Sequence, residues 1–480
     1  MLPDDVVFSP VSALSVLIRS RQVSPVELTE AYLERLEELG PRLNSVATVS
    51  HESALAEARS AEAEIEKGPY RGVLHGIPYG AKDLLATSGV RTTWGAPPCQ
   101  NQVFNYDATV VKRLRNAGAI LLGKLAMLEL AGVGHYRYAS ASLTGPGLNP
   151  WNSDRYTGGS SSGSAAATAA ALVGFSIASE TWGSILIPAG LCGVTGLRPT
   201  YGRVSRHGAL VASWTMDKIG PVCRSVEDCA IVLKAIAGQD DADNSTFRDD
   251  FTYGPWRGQL EPLRLGVIQE NFRSHGEPEV EQAFAGAIEL FESLGAKCDS
   301  VSLPQFPYDE VAEIIVAAES TCSFEELIST GKVHELADTS QQAGILAGQE
   351  IKAIDYLKAM RMRAWLQETF APIWKRCDVL LSPTSLSVAP SVREEVNGMF
   401  LTPIVAAGNL LGLPAISLPC GFDKSGLPVA LSIAGPAFKE NLVLQIARAY
   451  QDATDWHRRR PPAFCSSPPF ARTRTEVNAR

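Results

Sequence analysis

Residues 157–167 read TGGSSSGSAAA, a run in which glycines and serines lead directly into alanines. A flexible Gly/Ser linker would continue into polar spacer, whereas this run continues into a good helix-forming sequence. A tight turn that presents backbone N–H groups and a hydroxyl at the start of a helix explains the composition better. A second Gly-Ser follows in ETWGSIL, residues 180–186, so these two segments predict a functional loop region inside a folded core.

Outward from these segments, short apolar runs alternate with helical stretches. The runs occupy residues 76–79, 119–122, 263–268 and 379–381. Residues 9–65 show helical spacing, with Ser24, Pro25 and Glu27 forming the pattern of a capped helix start. Alternation of this kind predicts an α/β fold with helices on the faces of a sheet.

The composition indicates an ordinary globular protein. Of 480 residues, 45% are hydrophobic and 20% charged, which excludes disordered, collagen-like and small disulfide-rich classes. The net charge of −9 is opposite to that expected of a protein that binds phosphate backbones. The nine cysteines form no C-x-x-C pair, the chain starts acidic, and its longest apolar run is shorter than the ~20 residues of a spanning helix. These features predict a reduced, soluble, cytoplasmic protein without a membrane partner.

The C-terminal residues 458–480 hold six arginines and one glutamate. A basic tail of this kind either contacts nucleic acid or lies solvated at the surface, and the composition favours the solvated tail. Residues 463–480 are therefore predicted to be disordered.

Several familiar motifs are present only in part. Residues 118–124, GAILLGK, have phosphate-loop spacing, but the next residue is Leu125 and the interior is apolar, so no nucleotide site is predicted. Residues 159–163 match G-x-S-x-G without the apolar strand that a nucleophile elbow needs. A Ser/His/Asp arrangement through His207 and Asp217 remains open, because triads assemble in space.

The segment from Gly158 to Arg203 resembles the signature of the amidase signature family. Further motifs match in the expected order: GIP at 76–78 with AKD at 81–83, NPW at 149–151, DKIGP at 217–221, GLPA at 412–415 and TDWH at 454–457. The resemblance covers about residues 9–462. It implies one large α/β/α layered domain around a mixed, mostly parallel twisted sheet, over residues 1–462. Within it we expect N-terminal helices at 9–65, the signature core at about 70–235 and a C-terminal part at about 260–462.

The resemblance also implies a Ser–Ser–Lys triad. Ser184 is then the nucleophile and Ser160 the bridge to Lys82. A lysine can act as a base only when it is neutral, and a free lysine titrates near ~10.4, so Lys82 must be held in a desolvated pocket. The same resemblance predicts a cis peptide bond between Gly159 and Ser160. No metal, nucleotide or organic cofactor is implied.

The family's oxyanion hole corresponds to the backbone N–H groups of Thr181, Trp182, Gly183 and Ser184, where fixed donors meet the developing charge. The chain near Ala131 would line the acyl side of the substrate pocket.

Two departures from the family pattern bear on the substrate. Where the family usually has D-T-G-G-S-I-R, this chain has Glu180 and Leu186 in place of the aspartate and the arginine. Trp182 replaces a glycine, and its indole either forms an aromatic wall of the pocket or packs into the core.

Three functions compete. The first is an amidohydrolase that cleaves the C–N bond of a small carboxylic amide, aryl amide, carbamate or ester through an acyl-enzyme. Its expected partners are that substrate and, in a homodimer, a second copy of the chain, without nucleic acid. The second is the glutaminase (A) subunit of a tRNA-dependent amidotransferase. Such subunits carry an arginine pair for the glutamine carboxylate, which residues 343–348, AGILAG, lack. The third is an inactive relative that serves as a scaffold, which the intact triad positions argue against.

Overall fold

The computed structural model describes residues 2–254, 260, 263–268, 276–396 and 402–465. The predicted C-terminal tail lies outside these ranges from residue 466 onward. The part before it is packed: a short turn at Pro462–Phe464 buries Phe464, whose carbonyl accepts a hydrogen bond from Arg35 at 2.8 Å.

Thirteen strands lie in the described ranges, and eleven of them form one sheet. They are β1 (Val46–Val49), β2 (Pro78–Lys82), β3 (Ile120–Leu125), β4 (Leu148–Asn149), β5 (Asn152–Tyr156), β6 (Phe175–Glu180), β7 (Thr195–Arg198), β8 (Lys218–Cys223), β9 (Arg264–Ile268), β10 (Lys297–Val301), β11 (Val379–Pro383), β12 (Ala415–Phe422) and β13 (Pro428–Ala434).

The helices pack on both sides of this sheet. In the described part of the chain they are α1 (Asp4–Val7), α2 (Val11–Arg19), α3 (Pro25–Leu39), α4 (His51–Lys67), α5 (Thr109–Asn116), α6 (Ser162–Ala169), α7 (Leu186–Leu191), α8 (Val226–Ile236), α9 (Pro278–Ser293), α10 (Tyr308–Ser323), α11 (Glu325–Ser329), α12 (Thr339–Ala347), α13 (Ala353–Phe370), α14 (Ile373–Arg376), α15 (Pro403–Leu410) and α16 (Glu440–Asp452). Single 3₁₀ turns occupy Gly40–Leu43, Pro97–Cys99, Glu129–Gly132, Lys332–Glu335, Gly348–Glu350 and Trp456–Arg458.

The large sheet has the order β1-β3-β2-β6-β8-β7-β12-β13-β11-β9-β10. Parallel pairing holds in two blocks, β3–β2–β6 and β11–β9–β10, and antiparallel pairing joins them through β8, β7, β12 and β13. The predicted α/β/α architecture around a mixed sheet is confirmed. A continuous apolar core runs along it, from Leu28 and Leu36 of α3 to Ile433 of β13.

Local sequence signals account for much of the N-terminal region. Helix α3 begins with the predicted capping box, in which Ser24 Oγ accepts the N–H of Glu27 at 3.1 Å and Glu27 Oε2 accepts the N–H of Ser24 at 2.9 Å. The predicted helical stretch 9–65 is interrupted by β1, which pairs with β3 at the sheet edge. Its sequence VATV is short and rich in β-branched residues, so pairing with an open edge decides its conformation.

The partial phosphate-loop motif folds as β3, so no anion-binding turn forms there. Lys124 is fully buried in this strand, and its Nζ donates to the carbonyl of Leu85 and, at 3.1 Å, to Thr87 Oγ1. None of the described helices is both long enough and apolar enough to cross a membrane.

Candidate active site

Two neighbouring parallel strands bring the predicted base and nucleophile segments together. Strand β2 ends at Lys82 and β6 ends at Glu180, with Ala81 opposite Ile177 in the ladder. Because the carboxyl ends of parallel strands meet at the same edge, Lys82 and the loop after Glu180 lie side by side. The sheet therefore fixes the relative position of the two segments.

Lys82 is fully buried and bonded to two hydroxyls. Its Nζ lies 2.8 Å from Ser160 Oγ and 2.9 Å from Ser179 Oγ. Burial lowers the pKa of Lys82 to about 7, although the charges of Asp217 and Glu180 oppose this shift. A substantial fraction of the amine is therefore neutral near pH 7 and able to accept a proton.

Ser160 lies in a turn that needs glycine before it. The Gly159–Ser160 peptide bond is cis, which confirms the prediction from the resemblance. A Cβ on Gly159 would lie 2.5 Å from Leu128 Cδ1 and 2.6 Å from Tyr156 Oη, so a larger residue would not fit. The carbonyl of Ser160 accepts the N–H of Leu128 at 3.1 Å, and helix α6 begins two residues later, at Ser162. These contacts hold the Ser160 hydroxyl against Lys82.

Ser184 lies in the loop between β6 and α7, and it lines the same cavity as Ser160. Gly183 has a φ of +89°, a left-handed conformation that favours glycine. Within the described part of the chain, the N–H groups of Trp182, Gly183 and Ser184 have no hydrogen-bond acceptor. Three consecutive donors beside a serine hydroxyl can stabilise an oxyanion.

The carboxylate of Glu180 anchors the loop that carries Ser184. Its Oε2 accepts the N–H groups of Ile185 and Leu186 at 2.8 and 3.0 Å, and its Oε1 accepts Arg198 Nη1 at 2.8 Å. Asn409 Nδ2 donates to the same oxygen at 2.9 Å. Burial alone would raise the pKa of Glu180, but Arg198 and Lys218 outweigh it and lower that pKa. Arg198 therefore supplies the positive charge that the family pattern leads one to expect at position 186.

Asp217 contacts the same loop at Thr181. Its Oδ1 accepts the hydroxyl of Thr181 at 2.5 Å, and its Oδ2 accepts the N–H groups of Ala212 and Ser213. His207 lies elsewhere, with its Nδ1 3.4 Å from Thr109 Oγ1 and its ring against Tyr106. The open Ser/His/Asp alternative is therefore not assembled.

The cavity beside the two serines has a volume of about 1040 Å³. Ser160, Ser184, Thr181, Trp182 and Ala131 line one side of it. Gly183 has no side chain, so it can offer only its backbone groups. The opposite side comes from α10 and from the end of α12 with the turn that follows it, including Asp309, Glu313, Gly344, Ala347 and Gly348.

Ala131 and its neighbour adopt an unusual backbone conformation. Leu130 and Ala131 have φ values of +47° and +62°, which residues with a side chain rarely adopt. Helix α12 supports this turn, because Gln341 Nε2 donates to the carbonyl of Glu129 at 2.7 Å. The turn that presents Ala131 is thus tied to the α12 wall of the cavity.

Trp182 satisfies both interpretations that the sequence leaves open. It lines the cavity and also packs against an apolar cluster that includes Leu186 and Met216. Its Nε1 is buried and has no hydrogen-bond partner in the described ranges. The indole therefore lies between the cavity and this apolar cluster.

Three further contributors were not predicted from sequence. Ser179 and Arg198 lie inside the segment that resembles the family signature but carry no local signal for their bonds to Lys82 and Glu180, and Asp217 was considered as a member of a different triad. The match of residues 217–221 to a family motif was the one available signal for Asp217. In the ranges that the structure describes, no group of three or more His, Cys, Asp or Glu residues could hold a metal ion.

Comparison with known proteins gives relatives across nearly the whole chain. The A subunit of glutamyl-tRNA(Gln) amidotransferase from Moorella thermoacetica is 39% identical, over 93% of this chain and 97% of that protein. The native peptide amidase of Stenotrophomonas maltophilia superposes with a TM-score of 0.85 at 30% identity, covering 95% of this chain and 98% of that one. The corresponding amidotransferase subunit of Thermotoga maritima gives a TM-score of 0.78 at 28% identity, covering 95% and 96%.

These relatives correct the prediction about partners. That prediction named a small amide, carbamate or ester substrate and excluded nucleic acid, yet the Moorella relative is named as a subunit of glutamyl-tRNA(Gln) amidotransferase. The exclusion rested on the net charge of −9. Net charge averages over one chain, whereas in a complex another subunit can contact the nucleic acid, so the inference from charge was wrong.

The family match agrees with the geometry described above. The model of the Amidase family matches residues 27–444, which include Lys82, Ser160, Ser184 and the loop that carries the unpaired N–H groups. This is the amidase signature family that the sequence resembles. The chain belongs to the Amidase family.

Proposed function

We propose that this chain hydrolyses a carboxamide by transferring its acyl group to Ser184. One observation carries the proposal: Lys82 Nζ, with a pKa lowered to about 7 by burial, lies 2.8 Å from Ser160 Oγ, in a cavity wall shared with Ser184. A neutral amine bonded to a bridging hydroxyl is a base for a serine nucleophile.

The proposed reaction has two halves. In the first, Ser160 passes the proton of Ser184 to neutral Lys82 while Ser184 Oγ attacks the carbonyl carbon. The N–H groups of Trp182, Gly183 and Ser184 bind the oxyanion. The C–N bond then breaks, the amine leaves with the proton returned through Ser160, and an ester to Ser184 remains. In the second half, water loses a proton along the same path, attacks this ester, and releases the carboxylic acid and Ser184.

We propose further that the amide is a glutamine side chain and that the chain acts as the A-type subunit of an amidotransferase. The relatives at 36–39% identity over 92–94% of the chain support this assignment. In this role the leaving amine is ammonia, which a partner subunit would use. Nucleic acid then enters the complex through that partner.

A second candidate is hydrolysis of a bulkier carboxamide, and a feature of the cavity favours it. Gly344, Ala347 and Gly348 line the cavity without charge, and residues 343–348 contain no arginine; Arg137, which also lines the cavity, is paired with Glu395 at 2.5 Å. The volume of about 1040 Å³ exceeds what a glutamine molecule fills, and Trp182 offers an aromatic surface. An amide with an apolar acyl group suits this cavity.

The experiment is to compare ammonia release from L-glutamine with that from a peptide ending in a C-terminal amide. Parallel samples treated with a fluorophosphonate are weighed by intact-mass spectrometry. The variants are Ser184→Ala and, as the matched control, Ser162→Ala, whose hydroxyl makes one long contact among the described residues, 3.5 Å to the Ala126 carbonyl.

A single adduct on the parent and on Ser162→Ala, absent from Ser184→Ala, is the expected result. Release from glutamine supports the role in an amidotransferase, and release from the peptide amide alone supports the second candidate. An adduct that persists in Ser184→Ala would contradict the assignment of the nucleophile.

A further inference from the structure

A second cavity, of about 430 Å³, shares no lining residue with the catalytic one. It lies where residues 8–12 meet the end of α16 and the turn at Trp456–Arg458. Its lining carries more positive than negative side chains. The five arginines are Arg224, Arg448, Arg458, Arg459 and Arg460, and the two carboxylates are Glu227 and Asp452. This is a concentration of positive charge in a chain whose net charge is −9.

Both carboxylates form ion pairs with the same arginine. Arg448 pairs with Glu227 and Asp452 at 2.9 and 2.8 Å. Arg460 pairs with Asp5 at 2.9 Å. The other three, Arg224, Arg458 and Arg459, have no carboxylate within 4 Å among the residues that the structure describes.

Arg224 lines this cavity and is buried, with 8% of its surface exposed. Its two terminal nitrogens donate to neutral acceptors, including the carbonyls of Thr168, Val173 and Ser9 at 3.1, 2.9 and 2.9 Å. These bonds hold the guanidinium in place. The buried carboxyl of Asp228 interacts with its charge electrostatically, but from beyond ion-pair distance. Its Nε is buried and unpaired in the described ranges.

His457 adds a second unpaired nitrogen. Its Nδ1 is buried and has no partner in the described chain. Burial lowers the pKa of His457 to about 4, and the nearby charges of Arg458 and Arg448 add to this shift. The ring is therefore neutral at pH 7, so it can donate one N–H to an acceptor without adding to the charge.

Arg459 is fixed before any ligand binds. Its guanidinium lies 4.2 Å from the ring centre of Trp456 and 4.9 Å from that of Phe422. Stacking of this kind immobilises the side chain and leaves its N–H edge available. A preorganised guanidinium loses less entropy when it binds a ligand.

We propose that this cavity binds a small phosphate-bearing anion, held by Arg458 and Arg459 above Arg224. Guanidinium groups match the oxygens of a phosphate in pairs, and three arginines with no carboxylate within 4 Å in the described ranges supply the charge. A free phosphate compound fits better than a nucleic acid backbone, because Arg224 is buried and lines a cavity, where an extended backbone would reach it poorly. The inference does not depend on the proposed function.

The test is calorimetric titration of the full-length protein with pyrophosphate. The variant Arg458→Gln/Arg459→Gln removes two charges at the cavity, and Lys358→Gln/Arg361→Gln, on α13, removes two charges elsewhere. We expect binding to the parent and to the α13 variant, and affinity at least about tenfold weaker in the cavity variant. Arg459→Lys keeps the charge but loses the planar fork, so its affinity should be intermediate.

No binding of pyrophosphate to the parent would overturn the proposal, and so would equal affinity in all the variants. A competition arm adds a short single-stranded RNA. If the RNA binds through Arg458 and Arg459 and pyrophosphate does not displace it, the site serves a nucleic acid and the proposal of a small anion is wrong. Thermal unfolding of each variant confirms that it is folded.

Discussion

The hydroxyl of Thr181 donates to Oδ1 of Asp217 over 2.5 Å, at the first residue of the loop that carries Ser184. Asp217 is buried with it and accepts two backbone N–H groups through its other oxygen. Hydrogen bonds to a buried carboxylate are stronger than neutral ones. This pair therefore fixes the start of the loop at residues 181–184, which carries the N–H groups of the proposed oxyanion hole.

Thr181→Val keeps the shape of the side chain and removes this bond. Because the lost bond is to a carboxylate, we expect about 1.5–3 kcal/mol less stabilisation of the loop geometry, and kcat about tenfold lower or more. KM should change little, since the donors act mainly in the transition state. The measurement is steady-state kinetics with Thr369→Val, on α13, as the control. An unchanged kcat would show that Thr181 does not position the loop.

The pH profile follows from Lys82. Its pKa is lowered to about 7 by burial, and the base must be neutral, so kcat/KM should fall as pH falls below 7. At one pH unit below the pKa only about a tenth of the lysine is neutral, which predicts about a tenfold loss. Lys82→Arg keeps a cation that cannot become neutral, so it should be inactive at every accessible pH. A parent profile that is flat from pH 5 to about 8 would exclude Lys82 as the base.

The same buried amine should cost stability. The unfolded lysine titrates near its ordinary value and the folded one at about 7, so between these two pKa values the unfolded state binds more protons. We expect Lys82→Met to raise the free energy of unfolding by roughly 2–4 kcal/mol at pH 7. This increase should be largest below pH 7 and should become smaller as the pH rises toward the pKa of lysine in the unfolded chain. Urea unfolding at several pH values measures this. A loss of stability at pH 7 would contradict it.

Arg198 and Glu180 form a buried ion pair, at 1% and 0% side-chain exposure. Arg198→Met leaves the carboxylate without its principal counter-charge, and this should destabilise the fold by about 3–5 kcal/mol. Glu180→Gln/Arg198→Met removes both charges and should recover part of that loss. Denaturant unfolding of the two variants measures the difference. Equal stability of the single and double variants would show that the charge of Glu180 is balanced by Lys218 instead.

Much of the fold and the site was predictable because the signals are local. The capping residues of α3 and the glycines around Ser160 act within a few positions, so sequence alone identifies them. Edge strand β1 was missed because its pairing partner decides its conformation.

Long-range partners carried no such signal. Asn409 reaches Glu180 across 229 positions, and Asp217 reaches Thr181 across 36. Nothing in either local sequence indicates the other residue. The same holds for partners of the whole chain, since composition averaged over 480 residues does not reveal which surface meets a second protein.

The two sides of the catalytic cavity come from different parts of the architecture. The chemical groups follow strands β2 and β6 in the middle of the sheet, whereas Asp309, Glu313 and Gly344 come from helices inserted between edge strand β10 and β11. Replacement of the inserted helices would leave the strand ladder intact. The proposed reaction chemistry and the choice of substrate thus depend on different segments of this scaffold, and a library randomised only at the cavity-lining positions 309, 313 and 344 would sample new specificities without altering the strand-borne groups.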